Sequence, residues 1–338
     1  MSKSFTLVTT VFNEIRRLDQ TIADIEKQTV KPSEILIADA GSLDGTLERL
    51  QRWKEESKIQ INVFVLPGCN IAEGRNEAIK RAENELIVST DFGCRYHEKW
   101  LESLVTPFDN PEVKVVGGAF SILNDEVKTR ASKADFVLQN GYPVVLDHYF
   151  SASSRSIAYY RSVWSEVGGY LEWLTLAADD TIFWRMIKAK KIRYHLVAEP
   201  YVYWLRHKTF KAFAKEAYRY GLGDGESQIN FGNMRSHVLE TLCRYAFFFI
   251  LIYSPLILVS GAYPLALILF PLAFGLRSYR NAWRNWAKLP EKYGLRILIS
   301  AFWLVELSRY QYLKGYFKGW LTPTSDQRKG REALADVI

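Results

Sequence analysis

Short apolar runs alternate with amphipathic segments over the first half of the chain. Three runs are strand-like, at residues 5–10, 34–38 and 85–91, and helical periodicity follows at residues 21–28 and 46–53. Strands that alternate with helices predict an α/β domain with a doubly wound, mostly parallel sheet and right-handed crossovers.

The pattern changes near Cys243. Residues 245–276 contain no charged side chain, and this stretch of about 32 residues exceeds the ~20 residues that a helix needs to cross a bilayer. Arg235 and Arg244 precede it, and Arg277, Arg280, Arg284 and Lys288 follow it. Because basic residues prefer the cytoplasmic side, basic flanks at both ends favour a helical hairpin that returns to the same face. A single tilted crossing and a buried soluble core are the alternatives.

Beyond the uncharged stretch, aromatic residues mix with lysines up to about residue 320, which is typical of a helix lying among lipid headgroups. We therefore expect a catalytic domain over residues 1–235 and a C-terminal helical, membrane-associated region over residues 236–322. The latter comprises the hairpin at about 245–276 and an interfacial helix at about 295–320. A polar tail, residues 323–338, completes the chain.

Composition agrees with this organisation. The chain has 338 residues, 48% of them hydrophobic, and a net charge of +7. Its basic residues are dispersed and no nucleic-acid recognition motif accompanies them, so the surplus charge is better suited to anionic lipid than to nucleic acid. Three cysteines without metal-type spacing suit a reducing compartment. Residues 1–6 lack an apolar signal region, which predicts that the first domain stays in the cytoplasm.

Candidate chemistry lies at the ends of the predicted strands. Asp39 and Asp91 each follow an apolar strand, and Arg75 lies within the turn and helix of residues 70–79 that precede the second of these strands, near the same sheet edge. Open α/β sheets bind ligands at this edge. Two carboxylates and an arginine suit a diphosphate held with Mg2+ or Mn2+, although turn formation and helix capping also explain acids at these positions. Neither a P-loop nor a G-x-G-x-x-G turn follows the first two strands.

A further acidic pair, Asp179 and Asp180, stands just before an apolar-periodic run. Carboxylates at a helix start are favoured by the helix dipole, so capping alone accounts for them. A sugar transfer, however, needs a base that removes a proton from the acceptor hydroxyl, and a loop-borne aspartate at a helix entrance supplies one.

Five short motifs in this order resemble the family 2 glycosyltransferases with the GT-A fold, over roughly residues 5–225. Residues 9–14 (TTVFNE) resemble T-x-x-N-E, and residues 39–46 (DAGSLDGT) resemble D-G-G-S-x-D-G-T. Arg75-Asn76 resembles the A-R-N segment, residues 90–94 (TDFGC) resemble the metal-binding turn, and residues 168–170 (GGY) precede an acidic pair.

The resemblance implies a nucleoside diphosphate sugar as donor. Thr9, Glu14 and Asp39 would lie near the nucleoside, and Arg75 would support the nucleotide or its phosphates. Asp91 would bind a Mg2+ or Mn2+ ion that bridges the diphosphate. Asp180 would be the base of an inverting, single displacement without a covalent glycosyl-enzyme, with Asp179 as the other candidate for this role.

The chain departs from the family pattern at three places. The D-x-D turn reads Asp91-Phe92-Gly93, which leaves one carboxylate, and the E-D pair reads Asp179-Asp180. Residues 216–220 (EAYRY) have the spacing of Q-x-x-R-W, an element of processive relatives, but two of its three defining residues differ. We therefore do not expect polymer synthesis, while Arg219 remains a candidate for holding diphosphate. His207 is a candidate for the same site, against an ordinary structural role.

Together these features predict a glycosyltransferase at the inner face of the cell membrane. It would extend a lipid-linked glycan, such as a polyprenyl diphosphate saccharide, for a surface polysaccharide. Transfer to a polyprenyl monophosphate, and a catalytically silent sugar-nucleotide-binding scaffold of a glycan assembly complex, are the competing hypotheses.

Overall fold

The computed structural model describes residues 3–148, 150–175, 177–259, 268–289 and 293–335. The first half alternates strands and helices as the sequence predicts: β1 (Phe5–Val11), α1 (Ile15–Glu26), β2 (Glu34–Asp39), α2 (Thr46–Glu56), β3 (Gln60–Val65), α3 (Ile71–Arg81) and β4 (Leu86–Asp91). There follow β5 (Cys94–Tyr96), α4 (Trp100–Val105), β6 (Val115–Ser121), α5 (Arg130–Leu138), β7 (Ile157–Tyr160), α6 (Arg161–Glu166), α7 (Asp179–Ala189) and β8 (Tyr194–Trp204). The remaining helices are α8 (Phe210–Ser227), α9 (Phe231–Val259), α10 (Leu269–Leu272), α11 (Arg277–Lys288), α12 (Leu295–Leu321) and α13 (Ser325–Ala335).

The described strands form one eight-stranded sheet in the order β3-β2-β1-β4-β7-β6-β8-β5. The four strands from β3 to β4 are parallel to their neighbours. Beyond β4 the sheet is mixed, because β7 is antiparallel to both β4 and β6 whereas β8 runs parallel to β6. The predicted α/β class with a mostly parallel sheet is confirmed, and the order reverses at β1, the first strand of the chain.

The central strands are buried on both faces. Leu7, Ile35, Ile37 and Val88 lie in a continuous apolar core that also contains Trp53 of α2. A strand covered by helices on both faces is nearly uniformly apolar, as residues 34–38 are. The buried side chains of these strands fix the sheet in the core, and the polar residues at the strand ends are thereby positioned at its carboxyl edge.

The chain divides into two compact units. The first comprises Met1–Glu126, Pro143–Arg206 and Thr324–Ile338, and it contains the sheet and α13. The second comprises Val127–Tyr142 and His207–Pro323, and it contains α5 and the helices from α8 to α12.

Within the second unit, α8 and α12 meet backbone to backbone. Each helix presents a G-x-x-x-G pair towards the other, Gly221 and Gly225 on α8 and Gly315 and Gly319 on α12. A Cβ atom at any of the four would overlap main-chain atoms of the opposite helix. The close approach therefore requires glycine at these positions.

The helix α9 carries the beginning of the uncharged stretch. Its segment Phe231–Pro255 is long and apolar enough to cross a membrane, judged by length and composition. The middle of the predicted hairpin, residues 260–267, lies outside the described residues.

Candidate active site

Two of the predicted site residues, Asp39 and Asp91, lie at the carboxyl edge of the parallel sheet. Asp39 ends β2 in register with Val11 of β1, and Asp91 ends β4 in register with Thr10 of the same strand. Because one strand separates them, their backbones are roughly 10 Å apart at a strand spacing of ~4.8 Å. The two acids therefore share one edge of the sheet, where α/β proteins bind ligands.

The loops after β1 and β2 are joined by side-chain hydrogen bonds. The Asn13 backbone N–H donates to Ser42 Oγ at 2.9 Å, and the Asn13 side-chain oxygen accepts from the Leu43 N–H at 2.9 Å. The Glu14 N–H donates to Thr46 Oγ1 at 2.9 Å. The T-x-x-N-E and D-x-G-S-x-D-G-T motifs are thus two halves of one loop structure, with Asn13 in the left-handed region at φ 55°.

Asp39 shapes its own loop and keeps one oxygen unused. Its Oδ1 accepts the N–H groups of Gly41 at 2.7 Å and Ser42 at 2.6 Å. Its Oδ2 is buried without a hydrogen-bond partner among the described residues. A buried carboxylate oxygen without a partner is costly, so this atom is suited to accept hydrogen bonds from a ligand. An open cavity of about 410 Å³, lined in part by Pro67 and Cys69, adjoins this loop, since a Cβ at Gly41 would contact Pro67.

Arg75 connects the sheet edge to the acidic pair. Its Nη2 donates to Asp91 Oδ1 at 2.8 Å, and its Nη1 donates to Asp179 Oδ2 at 2.6 Å. The Arg75 side chain is 1% exposed, and its guanidinium lies 4.7 Å from the ring centroid of Tyr170. Burial alone would lower the pKa of Arg75, but the carboxylates of Asp179 and Asp91 raise it, so the side chain stays charged.

The side chain of Asn76 joins the R-N motif to the G-G-Y motif. Its side-chain oxygen accepts the N–H of Tyr170 at 3.0 Å and Nε1–H of Trp164 at 2.9 Å, and its amide donates to the Tyr170 carbonyl at 2.8 Å. Gly168 and Gly169 reach this position with φ of 85° and 75°, which favours glycine. The consequence is a fixed Tyr170, whose ring supports Arg75.

Asp179 and Asp180 open α7 but face different surroundings. Asp179 is buried, and desolvation raises its pKa to about 6 against the lowering effect of Arg75. Asp180 is half-buried, and its Oδ2 accepts a hydrogen bond from Ser153 Oγ at 2.9 Å. The preceding residue, Ala178, is held at φ 77°, and such strain is common at functional sites.

A second connection between the two acidic positions involves Arg155. Its Nη1 donates to Ser153 Oγ at 3.0 Å, and its Nε lies 3.9 Å from Asp91 Oδ2. Its guanidinium also lies over the ring of Trp204, at 4.2 Å from the centroid. The sequence indicates the loop at residues 150–155 as one that shapes the pocket, but it does not single out Arg155 or Ser153, because both lie outside the recognised motifs.

The turn after β4 provides one carboxylate for a metal ion. Asp91 is 36% exposed, and the described residues contain no group of three or more His, Cys, Asp or Glu side chains arranged for a metal. At position 93, where the D-x-D pattern has its second acid, Gly93 adopts φ 93°, and a Cβ there would lie 3.2 Å from Glu14 Oε2. Burial raises the pKa of Glu14. An acid at position 93 would therefore need a strained backbone and would crowd the Glu14 carboxyl group.

The donor set nevertheless fits a magnesium or manganese ion. Such ions commonly bind through one or two carboxylates while substrate phosphates and water complete the shell, so Asp91 together with a diphosphate would satisfy this requirement.

The other predicted residues lie as follows. Thr9 is fully buried within β1, and its hydroxyl donates to the Thr10 carbonyl at 3.4 Å. Arg219 is exposed on α8 of the second unit. His207 of the same unit lies with Nε2 3.5 Å from Glu216 Oε1 and packs against Phe213. The first unit therefore brings together Arg75, Asp91, Asp179 and Asp180, with Asp39 and Glu14 along the same loop edge.

Comparison with known proteins identifies a family model and several proteins that this chain resembles. Residues 6–169 match the family model described as Glycosyl transferase family 2. Among curated proteins, the chain is 29% identical over 93 residues to a cholesterol galactosyltransferase of Borreliella burgdorferi, covering 28% of this chain and 26% of that protein. It is 27% identical over 205 residues to the O-antigen chain rhamnosyltransferase WbaN of Salmonella anatum, covering 55% of this chain and 61% of the relative.

A solved structure with a similar fold is the mannosyltransferase PcManGT from Pyrobaculum calidifontis, in complex with GDP-Man and Mn2+. It superposes with a TM-score of 0.50 at 16% identity, over 99% of this chain and 84% of that one. The alignments with the two curated relatives span 26% and 61% of the relatives' lengths.

Proposed function

We propose that this chain, a member of glycosyltransferase family 2, transfers a sugar from a nucleoside diphosphate sugar to a hydroxyl of a lipid-linked or membrane-proximal glycan acceptor. The observation that carries the proposal is the buried guanidinium of Arg75, which binds both Asp91 and Asp179. Arg75 offsets only one of the negative charges of Asp91, Asp179 and Asp180, which otherwise repel one another, so the cluster suits a ligand that brings further positive charge, such as a diphosphate with its divalent ion.

The donor would lie along the carboxyl edge of the sheet. The free oxygen of Asp39 suits a hydrogen-bond donor of the nucleoside, and the half-exposed Asp91 suits the diphosphate side. The Pyrobaculum enzyme was solved with a donor of this class, and the curated relatives are named as sugar transferases. Arg75 is too buried to touch a nucleotide itself, so we assign it to holding Asp91 and Asp179 rather than to the donor-binding role expected from the sequence.

Asp180 is our choice for the base. It is the more exposed carboxylate of the pair, whereas Asp179 is occupied by Arg75. The acceptor hydroxyl gives its proton to Asp180 while its oxygen forms a bond to the anomeric carbon, and the bond from that carbon to the diphosphate breaks on the opposite face. Ser153 holds Asp180 in place through its hydroxyl. Because the acceptor attacks the face opposite the departing diphosphate, this single displacement inverts the anomeric configuration.

Charge on the departing diphosphate needs stabilisation. Arg155, which lies beside Asp91, is placed to offer positive charge there. A Mg2+ or Mn2+ ion held by Asp91 would supply Lewis-acid stabilisation of the same leaving group when bound.

The acceptor and the location are the less direct parts of the proposal. The apolar segment Phe231–Pro255 follows the catalytic unit in the chain, and this proximity favours an acceptor that is itself carried on a lipid, at the cytoplasmic face of the cell membrane.

Purified protein in detergent, assayed with a panel of nucleoside diphosphate sugars and polyprenyl diphosphate saccharides, tests the function. We expect transfer that Asp180→Asn reduces by at least about 100-fold, with donor affinity retained by thermal shift. The exposed Asp125→Asn is the matched control. A fully active Asp180→Asn acting on polyprenyl monophosphate would support transfer to a phosphate instead, since an anionic acceptor needs little base catalysis. Donor binding without turnover on any acceptor would support the scaffold hypothesis.

A further inference from the structure

The two ends of the uncharged stretch meet in the structure. Arg244, just before the stretch, donates from Nη1 to the carbonyl of Gly275 at 3.0 Å. A Cβ at Gly275 would overlap the backbone of Arg244 and Cys243, so main chain packs against main chain here. The chain therefore leaves this position along α9 and returns to the same place some thirty residues later.

Buried charged side chains of the second unit surround Arg244 at this contact. Glu240 and Arg244 are fully buried. Glu240 forms ion pairs with Arg277 at 3.1 Å and with Arg309 at 2.9 Å. Arg244 forms an ion pair with Glu306 at 2.8 Å. This charged network occupies the first part of the segment Phe231–Pro255. Because charges at the centre of a bilayer are costly, any lipid contact of α9 begins after Arg244.

Beyond Arg244, α9 exposes apolar side chains around much of its circumference. Phe249, Leu251, Ile252 and Tyr253 are 62%, 47%, 72% and 46% exposed. At 100° per residue these positions cover roughly 200° of the helix surface. A protein groove covers one face of a helix, whereas lipid chains surround it. Exposure on this scale suits lipid rather than a second protein.

The helix that follows the returning segment is basic on its exposed side. Arg280, Arg284 and Lys288 of α11 are exposed, and Arg277 is 39% exposed. The same helix has no acidic residue, and Trp283 is 53% exposed beside Trp286. Arginine and tryptophan side by side are typical of the level of the phospholipid headgroups.

From these observations we infer that the described legs of the stretch, residues 245–255 and 268–276, enter one face of a bilayer together without crossing it. The arginines of α11 lie at that face and contact anionic headgroups. When about 32 residues are divided between two legs, the shorter leg has at most ~24 Å of helix, which is less than the ~30 Å hydrocarbon core. The inference concerns the second unit alone and does not depend on the glycosyltransferase reaction.

Cysteine labelling of the full chain in membranes tests the topology. Single cysteines replace Leu239, Ile252 and Lys288, which are all exposed, in a background where the three native cysteines are alanine. We expect an impermeant maleimide to label positions 239 and 288 from the same side only. Position 252 should be labelled only after detergent is added. Labelling of 239 and 288 from opposite sides, or of 252 without detergent, overturns the inference.

Vesicle binding of the otherwise native chain provides a second test that is independent of cysteine replacement. Arg280→Gln with Arg284→Gln should lower the partition coefficient for phosphatidylglycerol-containing vesicles by about 30-fold, which is about fivefold per arginine. The matched control is Arg52→Gln with Lys54→Gln, two exposed basic residues of α2, which should bind as the native chain does. An equal loss in both variants, no preference for anionic over neutral vesicles, or a soluble dimer that leaves vesicles unbound contradicts the inference.

Discussion

Arg75 and Asp179 form a buried ion pair, with Nη1 and Oδ2 2.6 Å apart and the arginine 1% exposed. The same guanidinium binds Asp91 through its second terminal nitrogen. Carboxylates from two motifs that are far apart in the sequence are thereby held by one planar cation. A fork of this shape fixes both distance and angle, which a point charge does not.

Replacing Arg75 by lysine tests whether this geometry controls turnover. Lysine keeps the charge but cannot bridge two carboxylates with fixed angles, and a displacement of about 1 Å costs up to roughly 100-fold in rate. We expect kcat to fall by about 10- to 100-fold while the protein stays folded. Steady-state kinetics together with urea unfolding separate the two effects.

The matched control is Arg81→Lys, on the same helix. Arg81 is 42% exposed and pairs with Glu77 at the surface, so the exchange should change stability by less than about 1 kcal/mol. If Arg75→Lys and Arg81→Lys have equal kinetics, Arg75 has no part in positioning the acidic pair.

The raised pKa of Asp179 predicts opposite pH trends for activity and stability. With a folded-state pKa of about 6, Asp179 gains a proton as the pH falls through this value and its ion pair with Arg75 weakens, so kcat/KM should fall. Between about pH 4 and 6 the folded state holds this proton while the unfolded state does not. The contribution of Asp179 to the free energy of unfolding is therefore greatest at low pH, and it is lost as the pH rises through about 6, by at most ~1.4 kcal/mol per pH unit.

Asp179→Asn isolates both trends, because an amide does not titrate. The variant should lose the acidic limb of the pH–rate profile that is centred near pH 6. Its free energy of unfolding, measured by urea at several pH values, should also lose the corresponding slope relative to the native chain. An unchanged acidic limb would assign the limb to another group.

The position of the acidic residues at the sheet edge was predictable, because it depends on the local pattern of apolar strands and the residues that follow them. Each of Asp39 and Asp91 follows an apolar strand, and parallel strands end at a common edge. The loop at residues 150–155 is expected to shape the pocket, but the approach of Arg155 to within 3.9 Å of Asp91 was not predictable, since this loop has no periodicity and no motif. The burial of Arg75 was equally invisible, because the sequence shows a charge and not the Tyr170 ring packed against it.

Asp91→Asn should weaken the effect of a divalent ion on donor binding. Thermal shift with a nucleoside diphosphate, with and without Mg2+ or Mn2+, measures this directly. We expect the ion to raise the melting temperature of the native chain in the presence of diphosphate and to have little effect on the variant. Gly93→Asp, which restores the acid of the D-x-D pattern, should lower stability without strengthening the ion effect, because position 93 has φ 93° and adjoins Glu14. A stronger ion effect in Gly93→Asp would show that the turn accommodates the second carboxylate.

The crossing of α8 and α12 makes a prediction that is independent of the active site. Alanine at Gly221 or Gly315 would overlap the carbonyl of Tyr312 or of Tyr218 on the opposite helix, and such overpacking costs about 1–3 kcal/mol or more. Gly232→Ala on α9 is the control, because its Cβ meets nothing within 4 Å and alanine is favoured over glycine in a helix by up to ~1 kcal/mol. Denaturant unfolding in detergent should therefore show lower midpoints for the first two variants and an unchanged or higher one for the third. Equal midpoints in all three would mean that the two helices can separate at no cost, and the backbone contact would then not be needed to hold the second unit together.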